Sequence, residues 1–406
     1  MLGFEFLLLA ARVSSLSVLS CNIQQFSHNL PQVAGLATPL ATSEFRFNIL
    51  VQDIKQFLKK ADIIVFSESF DNGTSGRLKK DLRALGYAHQ TGVIDSVQAF
   101  ENDVQWNKSV PQGKPLMNGG VFVVSRFPIT HAEQHIYKEG TGADNNAAKG
   151  FIWVQLNYVY QGATVNVIGT HTQADDTAES KQVRKGQLAF LNQFANTTIP
   201  HSEIVLLVGD LNVDLYSPEA TSVSQSAMPG LKDVTVLGNL TSYDKRYNAY
   251  LSYMDADTKT PLLLDYAFPL PSHVQIPGWR MTALRATGSA AQAYGVGVPA
   301  LNGVATEASD HYPLMGFSPE EGAWAEEQVK VFQEHPASWT GCAGRFCGCR
   351  GGYCWVQCGS NLMLGGDANW CYTTYAGGLS QNLKYVKCSV DSECSFNRSC
   401  AGRCGK

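Results

Sequence analysis

A chain of 406 residues, 44% of them hydrophobic, is long enough for one large domain with a sizeable core and a small second one. Its 35 acidic and 31 basic residues leave a net charge of −4, which argues against a nucleic-acid binder unless a basic groove is hidden locally. No run of 18 or more apolar residues occurs, which argues against a spanning helix.

Residues 1–14, "MLGFEFLLLAARVS", read as an N-terminal extension. They hold a short apolar stretch but no basic leader, so a weak signal peptide and a start further upstream are both open. A strand is expected over 15–22. A helix is expected over 44–60, where Leu50, Ile54, Phe57 and Leu58 recur at helical spacing behind Ser43 as a cap. Residues 62–68 predict a second strand and 75–86 a helix that ends on Gly86, with Asp71-Asn72-Gly73 before it as a turn. Strands follow at 119–125, 151–157 and 164–171, a helix at roughly 179–195, and strands at 204–209, 262–268 and 312–317. Runs of consecutive strands between helices predict an α+β fold, mixed sheets with helices outside them. Residues 318–340 read as a charged linker, and 341–406 change to Cys, Gly and aromatic residues.

Ten of the 11 cysteines fall between Cys342 and Cys404. An even, dense set in a short segment reads as a disulfide scaffold, with zinc disfavoured because the segment has no His and no paired Cys-x2-Cys knuckles. Disulfides and Asn-x-Ser/Thr sequons at Asn72, Asn107, Asn196, Asn239 and Asn397 together predict a secreted protein.

The apolar runs share one feature: each ends in, or carries, a polar residue able to do chemistry. The first ends at Asn22, the second at Glu68, "NVIGTH" at His171, and "VLLVGDLNVD" at Asp210 and Asn212. "LLLDYAF" carries Asp265, and Asp310 and His311 precede the last strand. Taken singly, most histidines here are ordinary surface or satisfied residues, and Asp and Asn are ordinary turn formers. One cleft at which the strands converge accounts for the whole set together.

"SESFDNGTSGRLKKDLRALGY", "NGGVFVVSRFPI", "DNNAAKGFIW", "NVIGTHTQADD", "VGDLNVD", "LDYAF" and "SDHYPL" occur in that order. Over residues 15–317 the chain thereby resembles the neutral, magnesium-dependent sphingomyelinase C family of the deoxyribonuclease-I-like endonuclease/exonuclease/phosphatase superfamily. The resemblance implies a four-layer α/β/β/α sandwich, and hydrolysis of membrane sphingomyelin to ceramide and phosphocholine by a peripheral, monomeric enzyme. A nuclease or another phospholipid phosphodiesterase on the same machinery is the nearest alternative. A non-catalytic toxin or binding protein acting through the Cys-rich module is the other. Glu68 and Asn22 would hold Mg²⁺, with Mn²⁺ or Co²⁺ able to replace it. His311 would be the general base, partnered by Asp210 because Asp310, though assigned to this strand end by the resemblance, neighbours it on an extended segment and points the other way. Two residues apart on an extended chain, Asp210 and Asn212 would share a side, Asn212 donating to the phosphoryl oxygen. His171, oriented by Asp265, would be a charged stabiliser or the leaving-group acid. Lys149 either positions the phosphodiester or turns the chain into a strand, and Asp176 is a further substrate-side match.

The sequence departs from the family in two places. Met117 and Asn118 replace an acidic pair that helps hold a second rim cation. Residues 282–308 lack the aromatic hairpin tip of bacterial relatives, leaving either a weak membrane contact through Tyr294, Val296, Val298 and Leu301 or a Gly/Ala-rich loop. Tyr353, Trp355, Trp370 and Tyr372 are open to the same pair of readings, membrane or glycan contact against a small core.

Overall fold

The computed structural model describes residues 15–26, 46–51, 60–96, 98, 100, 102–110, 116–238, 240–245, 248, 250–251, 261–284 and 307–321, and the backbone of four strands within 347–400. The chain divides into two compact units, the larger made of residues 1–244, 259–286 and 308–329.

The larger unit contains two mixed sheets. In the first, β1 (Ser17–Gln25) lies parallel to β2 (Ile63–Ser69), and antiparallel to β13 (Leu314–Phe317) on its other side. With β12 (Arg280–Ala283), β6 (Phe122–Ser125), β3 (His89–Thr91) and β4 (Asp103–Val104), the order is β12-β13-β1-β2-β6-β3-β4. The second sheet repeats the central device. β9 (Ala163–His171) lies parallel to β10 (Ile204–Asp210), flanked by β11 (Asp265–Pro269) and by β8 (Gly150–Tyr160), β7 (Ile129–Ile136) and β5 (Lys108–Val110).

The sheets pack face to face. Val18, Ile63, Val65 and Val123 of the first share one apolar cluster with Val165, Val167, Leu206 and Val208 of the second. Helix α1 (Asn72–Ala84) covers the outer face of the first sheet, Leu78 and Leu82 meeting Ile64, Phe66 and Phe122 beside Phe47 and Leu50 of the helical residues 46–51. On the second sheet, Leu188, Leu191 and Ala195 of α2 (Ala178–Thr198) and Ala220 and Val223 of α3 (Pro218–Ser226) join the main cluster. Helices on both outer faces give the expected layering, because each sheet is apolar on both sides.

Several boundaries differ from expectation. Asp71 does not start a free turn: its carboxylate accepts from Thr74 N at 2.7 Å and caps α1. The strand expected over 262–268 begins only at Asp265. β7 escapes the pattern because His131, Glu133 and His135 alternate along it, yet both histidines bond Glu133 at 2.9 Å, His131 packing its ring tilted against Trp153 and His135 stacking on Phe151, so self-pairing lets Glu133 and His135 be buried and His131 half-buried. Most of the proposed 44–60 helix and the 282–308 loop, the N-terminal extension, Asn239 and Asn397 lie outside the described residues. Four strands of the C-terminal segment, β14 (Cys347–Arg350), β15 (Tyr353–Gln357), β16 (Trp370–Thr374) and β17 (Ser399–Cys400), pair in that order. Their cysteine and aromatic side chains, and with them the disulfide and membrane-contact expectations, lie outside the described residues.

Candidate active site

The two parallel pairs end at the same place. β1 and β2 deliver Asn22 and Glu68, whose side chains meet where Asn22 Nδ2 donates to Glu68 Oε1 at 2.8 Å and to Asp210 Oδ2 at 3.0 Å. On the second sheet, register sets Asp210 directly between His171 of β9 and Asp265 of β11, so three functional side chains form one cross-strand row. His311 enters from the loop before β13, and its Nδ1 lies 2.8 Å from Asp265 Oδ2. Its Nε2 is 3.7 Å from Asp210 Oδ2, too far for a direct hydrogen bond.

Backbone conformation serves this convergence. Glu68 and Asn212 have φ of 56° and 50°, left-handed values that cost of order 1 kcal/mol each in a non-glycine residue. Gly209 makes the close strand pairing possible: a Cβ there would overlap the Thr170 carbonyl oxygen.

Burial decides the charge states. It pushes the Glu68 carboxyl up to about 7, with the nearby Asp310 charge adding to the effect, and it pushes Asp210 up to about 6. His171 is held well below the usual imidazole range by burial, then by the Lys149 and His311 charges. For His311 burial acts in the same direction, but the Asp265 and Asp210 carboxylates outweigh it and raise the imidazole well above its ordinary value. The Glu68 and Asp210 carboxyls are thus both disfavoured as anions by burial, which a positive charge placed between them would reverse.

Among the described residues, two groups of side chains could grip a cation, Glu68 with His171 and Asp210, and Asp210 with Asp265 and His311. The first fits Mg²⁺ better, because two carboxylates and an amide form a hard oxygen set. Asn22 supports the fit: its Nδ2 sits where both carboxylates converge, doing with a donor what a cation would do with charge. The amide is turned the opposite way from that needed for an oxygen ligand, so ligation by Asn22 Oδ1 requires the amide to flip.

A family model described as "Endonuclease/Exonuclease/phosphatase family" matches residues 20–282. "Sphingomyelinase C" of Listeria ivanovii is 31% identical over 304 residues, 73% of this chain and 86% of the relative. The chain belongs to the sphingomyelinase C branch of that family. "Phospholipase C" of Staphylococcus aureus is 30% identical over 259 residues, 63% of this chain and 75% of the relative. Among solved structures, beta toxin from Staphylococcus aureus superposes with a TM-score of 0.60 at 27% identity, over 75% of this chain and 99% of the toxin. Sphingomyelinase C from Streptomyces griseocarneus gives 0.59 at 27% identity, over 75% and 99%. A beta toxin double mutant crystallised with bound magnesium ions gives 0.60 at 27%, over 75% and 100%.

Within this sphingomyelinase C relative, Asn22, Glu68, Lys149, His171, Asp210, Asp265, Asp310 and His311 gather at one end of the sandwich. Several pairings differ from those expected. Asp265 orients His311, not His171, because antiparallel β11 places it nearest the loop before β13. The side chain of His171 instead meets Lys149 Nζ at 3.1 Å and is kept neutral, which removes the charged-stabiliser role in the metal-free state. Lys149 spends its three ammonium hydrogens on His171, on Asp144 Oδ2 at 2.6 Å and on Thr172 O at 2.9 Å. That makes it a support for His171 before any substrate arrives.

Asn212 is not on an extended chain with Asp210. The strand ends at Asp210, the backbone turns left-handed, Asn212 N bonds Asp210 Oδ1 at 2.9 Å, and its amide donates to Thr172 O at 3.2 Å. One amide hydrogen remains for a ligand. Asp310 faces away from the His311 dyad, accepting from Gln24 Nε2 at 2.7 Å. Asp176 is 92% exposed and paired with Lys181, so it is a surface residue and not part of the cluster. Asn118 donates to Phe70 O and to Asn72 Oδ1, rigidifying the rim where relatives were expected to hold a second cation. Sequence reading missed Tyr243, whose ring meets His311 edge-on at 4.9 Å, and Ser242, whose hydroxyl accepts from Asp265 N at 3.2 Å. Neither sits on an apolar run, so no periodicity marks them.

Proposed function

We propose that this chain is a Mg²⁺-dependent phosphodiesterase that hydrolyses sphingomyelin in membranes to ceramide and phosphocholine, acting outside the cell. The observation that carries the chemistry is the Asp265–His311 dyad facing Asp210 across 3.7 Å. Asp265 accepts from His311 Nδ1–H, which fixes the tautomer and leaves Nε2 as the proton-accepting atom. Nε2 and Asp210 Oδ2 lie 3.7 Å apart and face the same space, so a water beside both would be oriented by Asp210 and deprotonated by His311 as its oxygen attacks phosphorus and the bond to the ceramide oxygen breaks. Proton transfer leaves an imidazolium, and the Asp265 carboxylate stabilises it in a buried site where a charge-assisted bond is strong. Asn212 offers its remaining amide hydrogen to the phosphoryl oxygen as charge develops. Lys149 and His171 brace the opposite wall, the ammonium supplying the positive charge there. Held by Glu68, Asp210 and a flipped Asn22, a bound Mg²⁺ would neutralise phosphate charge, ease departure of the alkoxide and offset the carboxylates that keep His311 protonated.

The lipid substrate is supported by the branch to which the chain belongs, and the mildly acidic balance disfavours a polynucleotide. Purified protein with Mg²⁺ should release phosphocholine from sphingomyelin vesicles, EDTA should stop it, and His311→Ala should abolish it with the fold intact. Release of nucleotides from DNA with sphingomyelin untouched would overturn the assignment.

A further inference from the structure

We propose that Arg46 is a positioning residue of the phosphodiesterase site: its guanidinium clamps the strand end that carries Asn22 to the loop that carries Asp310 and His311. The inference rests on the functional reading above for what the site does, but the clamp itself is geometric.

Pairing of β1 with β2 slips between Asn22 and Gln25, so the strand bulges immediately after the residue that faces Glu68 and Asp210. Gln24 within the bulge has φ of 45°. A bulge leaves backbone groups without their ladder partners, and buried carbonyls must find donors elsewhere. Arg46 supplies them. Its Nη1 donates to Ile23 O at 3.2 Å and its Nη2 to Gln24 O at 2.6 Å, while Nη1 also reaches Ala308 O at 3.1 Å, two residues before Asp310. One planar head thus ties together segments separated by nearly the whole domain in sequence.

A second tie runs between the same segments. Gln24 Nε2 donates to Asp310 Oδ2, and Gln24 N donates to Asn22 Oδ1 at 3.2 Å, which ties the bulge to the Asn22 side chain and fixes where that side chain stands beside Glu68 and Asp210, the amide's own rotation remaining free to reverse. The chain of contacts therefore runs from Arg46 through the bulge to Asn22 on one side, and to the Asp310–His311 loop on the other.

Arg46 is 0% exposed, and burying a guanidinium is expensive unless its donors are filled. A residue needed only to anchor the helical residues 46–51 could be apolar, like its neighbours Phe47 and Leu50. The fork of donors is what the geometry uses: lysine, with a single nitrogen on a flexible stem, cannot span three carbonyls on two segments.

The test compares Arg46→Lys, Arg46→Ala and Gln24→Met with wild type in the full chain. The readouts are kcat and KM for sphingomyelin vesicles, Mn²⁺ affinity by calorimetry without substrate, and the melting temperature. Arg46→Lys should stay folded, lose at least about tenfold in kcat with KM within about threefold, and weaken Mn²⁺ binding in parallel. Gln24→Met should shift kcat and Mn²⁺ affinity in the same direction by less. Millimolar guanidinium should restore part of the activity of Arg46→Ala and leave wild type unchanged. If Arg46→Ala does not fold, the lysine and Gln24 variants decide the matter. A lowered melting temperature with kcat and Mn²⁺ affinity within about twofold of wild type would reduce Arg46 to a structural residue and overturn the proposal. Wild type that binds Mn²⁺ but leaves sphingomyelin intact would overturn the functional reading instead, and the calorimetric comparison would still judge the clamp.

Discussion

Replacing Asp265 with asparagine is the sharpest perturbation of the proposed mechanism, because it changes one charge and almost no volume. Asp265 accepts from Ser20 Oγ at 3.0 Å through one oxygen and meets His311 Nδ1 at 2.8 Å through the other. In Asp265→Asn the new amide oxygen can keep the Ser20 bond, which turns the amide nitrogen toward His311. A donor there forces Nδ1 to accept, moves the imidazole proton to Nε2 and removes the lone pair that would take a proton from water. Loss of a buried, charge-assisted partner is worth about 3–5 kcal/mol, or roughly 10² to 10⁴ in kcat. The pH profile supplies a second sign. Asp265 is one of the carboxylates that raise the His311 pKa, so its removal lowers that value. The acid limb of kcat/KM should then move to lower pH while the plateau falls. Steady-state rates from about pH 5 to about pH 9, with circular dichroism to confirm the fold, measure both effects. A plateau within a few-fold of wild type and an unmoved acid limb would refute the dyad.

Mg²⁺ affinity should weaken as pH falls through about 7, because burial raises the Glu68 pKa to about 7 and a protonated carboxyl competes with the cation; calorimetry on either side of that pH checks this. Gly209→Ala should destabilise the fold by more than about 3 kcal/mol in chemical denaturation, since the new methyl group would overlap the Thr170 carbonyl oxygen. Lys79 is fully buried beside Asp103, and burial lowers its pKa to about 8. A lysine that binds its proton less tightly when folded makes stability rise with pH from about 8 to about 10.5, by up to about 3 kcal/mol, and Lys79→Met should flatten that rise in urea titrations.

Much of this protein is legible in one dimension. Strands buried on both faces must be continuous apolar runs, so "DIIVFSE" and "IVLLVGD" announce themselves, and the acid at the end of each stands out because nothing in a core requires it. That is why Glu68, His171, Asp210 and His311 are recognisable before any fold is known. Partnership is not. Asp265 serves His311 because antiparallel pairing of β11 against β10 sets it on the His311 side of Asp210, a consequence of sheet order that no local pattern carries. Asp176 looks equivalent to its neighbours in "HTQADD", yet the chain leaves the sheet after His171 and carries it into water. Arg46 reads as a polar residue at the head of an amphipathic helix, and becomes a clamp only because the bulge in β1 lacks donors of its own. Composition and periodicity determine which residues are buried and which elements form, since those depend on solvent transfer along the chain. Which buried groups answer one another is decided by tertiary register, because hydrogen bonds are satisfied in space over a few ångströms and the sequence distance between partners leaves no mark.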